Sequence, residues 1–167
     1  MDLVVVRHAM AWDSDPGRWP DDRKRPLRPV GMRRFRAAAR ALARAVPHAD
    51  AVWTSPWVRA AQTAAILQEE ARWPKAQSVE VLATASSPAP VMRLVSAVAR
   101  PGTLVLVGHA PSLDQLVTLA VTGRSRPALV ELKKGGVACV RFENSVRTGA
   151  GELLWLMTPR FLRSVED

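Results

Sequence analysis

The sequence predicts an α/β protein: a three-layer α/β/α sandwich around a mostly parallel central sheet. Three observations lead there. Leu3–Arg7 ("LVVVR") and Thr103–His109 ("TLVLVGH") are short, continuously apolar and β-branched, as strands buried on both faces are. Segments with apolar residues at helical spacing lie between such runs, and strands alternating with helices make βα units. Proline and glycine mark the junctions, at Pro47, Ser55-Pro56, Pro74 and Pro101-Gly102.

The elements follow in order. After the first strand a polar loop rich in Pro, Asp and Arg runs from Ala11 to Pro29. "GMRRFRAAARALARAV" is a helix, with Met32, Phe35, Ala39, Leu42 and Val46 on one face. "DAVWTSP" is a second strand that ends in a turn, and "VRAAQTAAILQEEAR" a second helix. "SVEVLA" alternates as a third strand, and "PVMRLVSAVAR" is a third helix. "TLVLVGH" and "SLDQLVTLAV" form the next strand and helix. "ALVELKKGGVACVRFE" reads as a hairpin turning at Lys134-Gly135-Gly136, "GELLWLM" as a last strand, and the rest as a tail after Pro159. These C-terminal strands extend the sheet in mixed orientation.

The 167 residues suit one domain, 1–167, with no repeat, linker or low-complexity stretch to divide it. Nothing approaches the roughly 20 uninterrupted apolar residues of a membrane helix. The single Cys139 excludes an internal disulfide and a cysteine-based zinc cluster, which fits a cytoplasmic setting. The net charge of +9 favours anionic partners, although arginines on solvated faces account for much of it. Arg33, Arg36, Arg40 and Arg44 form such a stripe on the first helix.

Three strand ends carry unusual residues: Arg7-His8, Thr54-Ser55-Pro56 with Arg59 one helical turn on, and Gly108-His109. Parallel strands put their carboxyl ends at one edge, where open α/β sheets bind ligands. Two histidines and two arginines would then share a crevice. They make a poor cation site, since guanidinium groups repel a metal ion, and no metal or other cofactor is expected. They suit a dianionic phosphoryl group. Arginine offers a rigid fork to its oxygens, and a neutral imidazole can attack phosphorus.

These residues carry a resemblance. "VVRHAMA", "RPLRPVG" (Arg25 to Gly31), "WTSPWVRAAQTAAIL" (Trp53 to Leu67) and "VLVGHAPSLDQLV" (Val105 to Val117) resemble, in order and spacing, the motifs of the histidine phosphatase superfamily. Among its branches the chain is most similar to the small SixA-type phosphohistidine phosphatases. The resemblance runs from residue 2 to about 122. It implies a phosphoglycerate mutase-like fold and a phosphatase of protein phosphohistidine. His8 would be the transiently phosphorylated nucleophile, Arg7 and Arg59 the phosphoryl clamp, and His109 the group completing the pocket. Ser55 would support the pocket from beneath. The family's glycine after the nucleophile is Ala9 here.

Larger members use a carboxylate to protonate an alkoxide leaving group. In the corresponding interval this chain has Glu69 and Glu70 in a helix and Glu80 within the expected third strand, while "ATASSPAP" (Ala83 to Pro90) has none. Asp13, in the loop after His8, is a better-placed candidate acid. The expectation is that no strong acid serves the site, which favours phosphohistidine, whose imidazole departs easily. The implied partner is a phosphorylated protein, such as a histidine-containing phosphotransfer domain, or a small phosphorylated substrate; no membrane is implied. A phosphatase of small esters, pyrophosphate or polyphosphate remains an alternative. A basic module binding nucleic acid or acidic protein is a remoter one.

Overall fold

The computed structural model describes residues 1–84, 87–98 and 102–165. Six strands form one sheet in the order β3-β2-β4-β1-β5-β6. The central strand β1 (Asp2–Arg7) pairs in parallel with β4 (Thr103–Gly108), from Asp2 opposite Thr103 to Arg7 opposite Gly108. Its other edge pairs antiparallel with β5 (Val137–Arg141). β2 (Ala51–Thr54) lies parallel to β4, and β6 (Glu152–Met157) antiparallel to β5. The sheet is therefore mostly parallel and mixed at its C-terminal side, as expected.

Alternation along the buried strands divides the core into two layers. Val4, Val6, Val105 and Val107 face α1 (Pro29–Ala45) and α2 (Val58–Ala71). Leu3, Val5, Leu104 and Leu106 face α4 (Ala89–Val98) and α5 (Ser112–Thr122) on the opposite side. α1 begins two residues before its sequence signal, because Pro29 suits a first helical position, where no N–H is required. Gly31 is needed there: a Cβ would stand 2.2 Å from the Met10 carbonyl oxygen, so the helix could not lie against the loop that follows His8.

Three expectations are corrected. The third strand shrinks to β3 (Gln77–Ser78), and Val81–Thr84 turns into a short helix, α3. β3 meets only Trp53 and Thr54, so β2 offers no ladder for a longer strand. The first arm of the C-terminal hairpin does not pair. Residues 130–133 alternate buried and exposed as a strand would, but side chains hold their backbone: Leu132 N–H donates to Asp114 Oδ1 at 2.9 Å, and Leu132 O accepts from Arg7 at 2.6 Å. The tail is a helix, α6 (Pro159–Ser164), that buries Leu162 in the α1 layer. The helix stop expected at Pro101, and Ala85 and Ser86 of the acid-free loop, lie outside the described residues.

The basic stripe of α1 serves the fold. Arg36 pairs with Glu69 at 2.7 Å and Arg40 with Glu70 at 2.9 Å, clasping α1 to α2. Arg44 donates to the Val165 carbonyl, and Arg33 is exposed.

Candidate functional site

β1, β2 and β4 end at one edge of the sheet, where a cleft of about 460 Å³ is lined by Arg7, His8, Arg59, His109 and Asp13. The two histidines and two arginines singled out from the strand ends thus come together. Sequence reasoning assigned no role to Arg25, Trp57 and Lys134, which also line the cleft, or to Asp22, which holds Arg59.

His8 sits where β1 leaves the sheet, and its backbone N–H donates to Gly108 O at 3.0 Å. Its ring Nδ1 lies 2.7 Å from the Ala9 carbonyl oxygen. A carbonyl can only accept, so Nδ1 carries the hydrogen and Nε2 keeps its lone pair. Burial lowers the His8 pKa to about 4, helped by the positive charges of Arg59, Arg7 and Lys134 and opposed by the Ala9 contact. At neutral pH the ring is neutral and fixed in one tautomer, with the Nε2 lone pair free. The Ala9 N–H donates to Thr63 Oγ1 at 3.0 Å, which ties the turn to α2. Among described non-glycine residues only Arg72 has a positive φ, so Ala9 needs no glycine conformation.

Arg7 Nη1 donates to Leu132 O. Arg59, 4% exposed despite its charge, donates from Nη1 to Asp22 O at 2.8 Å and from Nη2 to Asp22 Oδ2 at 3.0 Å. Asp22 in turn accepts from Arg25 at 2.7 Å, and that bond and the nearby guanidinium groups hold its carboxyl below the usual range. The Arg59 guanidinium stacks 4.5 Å over the Trp57 ring. Burial, then repulsion from Arg25, pulls the Arg59 pKa below its ordinary value.

His109 lies 5.3 Å from His8 between ring centroids, and its Nε2 is 2.8 Å from Ser55 Oγ. Ser55 is fully buried, and its Oγ accepts from the Trp57 N–H at 3.3 Å. Its own hydrogen can donate to His109 Nε2, and in that arrangement the imidazole proton sits on Nδ1. Burial lowers the His109 pKa to about 3, with His8 and Arg59 adding to the effect. Arg7 Nε, Arg59 Nε and His109 Nδ1 are buried without a hydrogen-bond partner among the described residues. A buried polar group left so costs roughly 1–3 kcal/mol. Three such groups at one cleft fit a ligand rich in acceptor oxygens.

The candidate acids fare differently. Asp13 is at the cleft but exposed, and Arg28 holds it at 2.5 Å. Glu80 is exposed in the turn between β3 and α3, outside the cleft lining. Glu69 and Glu70 are engaged on α1. Among the described residues, Asp13 is the only carboxylate lining the cleft.

A family model described as the histidine phosphatase superfamily (branch 1) matches residues 3–83, which include Arg7, His8, Ser55 and Arg59. An uncharacterized protein of Picosynechococcus sp. (strain PCC 7002) is 32% identical over 97% of this chain and 99% of its own. In fold, the chain is similar to the protein histidine phosphatase SixA complexed with tungstate, with a TM-score of 0.79 and 23% identity over 96% of this chain and 98% of that one. It is also similar in fold to a phosphoserine phosphatase from Entamoeba histolytica in complex with 3-phosphoglyceric acid, with a TM-score of 0.69 and 15% identity over 96% and 98%. Motifs, site and architecture agree: the chain belongs to the histidine phosphatase superfamily and has the fold of its SixA-type members.

Proposed function

We propose that this chain is a phosphatase, one domain across residues 1–167 and cytoplasmic, that removes the phosphoryl group from phosphohistidine on a protein. The observation that carries this reading is the His8–Ala9 contact, which presents the Nε2 lone pair of a neutral ring among cations. Nε2 attacks phosphorus, the bond to the substrate imidazole breaks as that ring, protonated from solvent at its other nitrogen, leaves neutral, and His8 holds the phosphoryl group. Water then attacks phosphorus, the bond to His8 breaks, and inorganic phosphate leaves as the water's proton passes to solvent. Arg7 and Arg59 clamp the equatorial oxygens, and the His109 Nδ1–H stabilises the charge that develops on them. Ser55 sets the His109 tautomer. The SixA structure similar in fold is complexed with tungstate, a tetrahedral oxyanion like phosphate, which supports an oxyanion ligand for this fold.

The leaving group selects the substrate. An imidazole departs from phosphorus with little help, whereas an alkoxide needs a proton donor. Asp13, exposed and held by Arg28, is poorly placed to supply one. The second reading, a phosphatase of small esters, is supported by the fold likeness to the phosphoserine phosphatase and by Asp13 at the cleft.

Acid-quench and alkaline-quench trapping tests the reading. Phosphohistidine protein and phosphoramidate should leave an alkali-stable, acid-labile phosphoenzyme, absent in His8→Ala. Vanadate should inhibit competitively as a five-coordinate mimic. An acid-stable phosphoenzyme, or one still formed by His8→Ala, would refute the mechanism. A higher kcat/KM on aryl phosphate or pyrophosphate than on phosphohistidine would favour the second reading.

A further inference from the structure

Beside the cleft lies a separate hollow of about 320 Å³, open to solvent. Its rim carries Arg34 of α1, Lys133 and Lys134 of the turn before β5, and Arg160 and Arg163 of α6, with no carboxylate in its lining. Lys133 is paired with Glu131 at 2.7 Å. Arg34, Lys134, Arg160 and Arg163 have no carboxylate partner among the described residues. The floor is apolar, formed by the half-buried Met10 and Pro159, with the Phe35 ring buried behind it. Lys134 lines both cavities, so the hollow adjoins the cleft that His8 lines.

We propose that this hollow is a docking site for an acidic, apolar-tipped segment of the protein that bears the phosphohistidine. This rests on the phosphatase reading and names the kind of protein the enzyme selects. Unpaired cations around an apolar floor complement a segment in which carboxylates flank one aliphatic side chain. A nucleic acid strand fits less well, because it would pair with the cations but leave the apolar floor unused, the Phe35 ring being only 2% exposed and closed to base stacking. The hollow adjoins the cleft, so the acidic segment lies a few residues from the phosphohistidine or beside it on the partner's surface.

Two synthetic phosphohistidine peptides, one with a Glu-Glu-Leu flank and the other with Gln-Gln-Gly, test the proposal. The wild-type protein should favour the acidic peptide by about tenfold in kcat/KM, carried by KM, as expected for a few rim charge pairs. Arg34→Glu with Arg160→Glu should abolish that preference and leave phosphoramidate turnover unchanged. Equal rates on both peptides, or a preference that survives the double variant, would overturn the docking site. Failure of both peptides to turn over would count against the phosphohistidine reading. Docking is then judged by fluorescence anisotropy of the unphosphorylated acidic peptide: binding lost in the double variant supports it, and no binding overturns it. A single-stranded oligonucleotide that binds at Arg34 and Arg160 while the acidic peptide does not would overturn it as well.

Discussion

Ser55 Oγ and His109 Nε2 stand 2.8 Å apart, joining the end of β2 to the residue after β4 across 54 positions of sequence. When that hydroxyl donates to Nε2, it leaves Nδ1 as the His109 donor. Ser55→Ala should lower kcat by roughly fivefold, as befits one net hydrogen bond of about 1 kcal/mol, with KM little changed. His109→Ala removes the donor itself and should lower kcat by about 10²–10³. A KM effect in Ser55→Ala as large as its kcat effect would mean that the serine acts on folding or binding instead.

Stability should fall as pH drops from about 6.5 toward 4. His8 titrates near its ordinary 6.5 when unfolded but near 4 in the fold, so within that window only the unfolded chain takes up the proton. The stabilisation is complete above pH 6.5 and decays by roughly 1.4 kcal/mol per pH unit through the window. His109 acts with the same sign and extends the window to about 3. Urea unfolding at pH 7 and pH 5 measures the slope, and His8→Asn should roughly halve it, leaving the share of His109. An unchanged slope in that variant would show that His8 titrates normally in the fold.

Asp114 reaches the cleft through an intermediary. It is buried, accepts from Leu132 N–H, and so fixes the carbonyl that receives Arg7 Nη1. Burial pushes its carboxyl above the usual range. Asp114→Asn keeps an acceptor and should leave KM for phosphoramidate within about twofold of wild type. Asp114→Ala leaves the Leu132 N–H unpaired, costs about 1–3 kcal/mol of stability, and should raise KM by loosening Arg7. Equal KM values in the two variants would disconnect Asp114 from Arg7.

Neither candidate acid should matter. Asp13→Asn and Glu80→Gln should stay within about twofold of wild type in kcat on both phosphoramidate and aryl phosphate, because a real proton donor is typically worth about 10²–10⁴. A selective loss on an alkyl ester in Asp13→Asn would restore the general acid and the ester reading with it.

The strand ends were legible because a buried parallel strand announces itself by continuous β-branched residues, and the residue that follows must emerge at the ligand-binding edge. Arg7, His8 and His109 were therefore readable from their neighbours, and Arg59 from its place one turn into a helix. Asp22, Arg25 and Lys134 were not, since loops bring them in and carry no periodicity. Residues 130–133 misled for a different reason. Alternation reports which side chains are buried, not what the backbone bonds to, and here Asp114 and Arg7 take the place of a neighbouring strand. "SVEVLA" failed for want of a partner, its neighbour β2 pairing only through Trp53 and Thr54.

The position of β1 governs when the cleft can exist. This strand is made before the other strands of its sheet, and its partners on either side begin at Thr103 and Val137, while the Asp2–Arg141 ion pair spans 139 residues. A nascent chain thus carries His8 long before β4 and β5 can bury it or His109 can stand beside it. Contacts this distant in sequence slow folding, because the intervening chain must be ordered before they form. The cleft is complete only once β4 and β5 have been made, and a chain stalled before β5 would hold His8 as an ordinary, solvated imidazole.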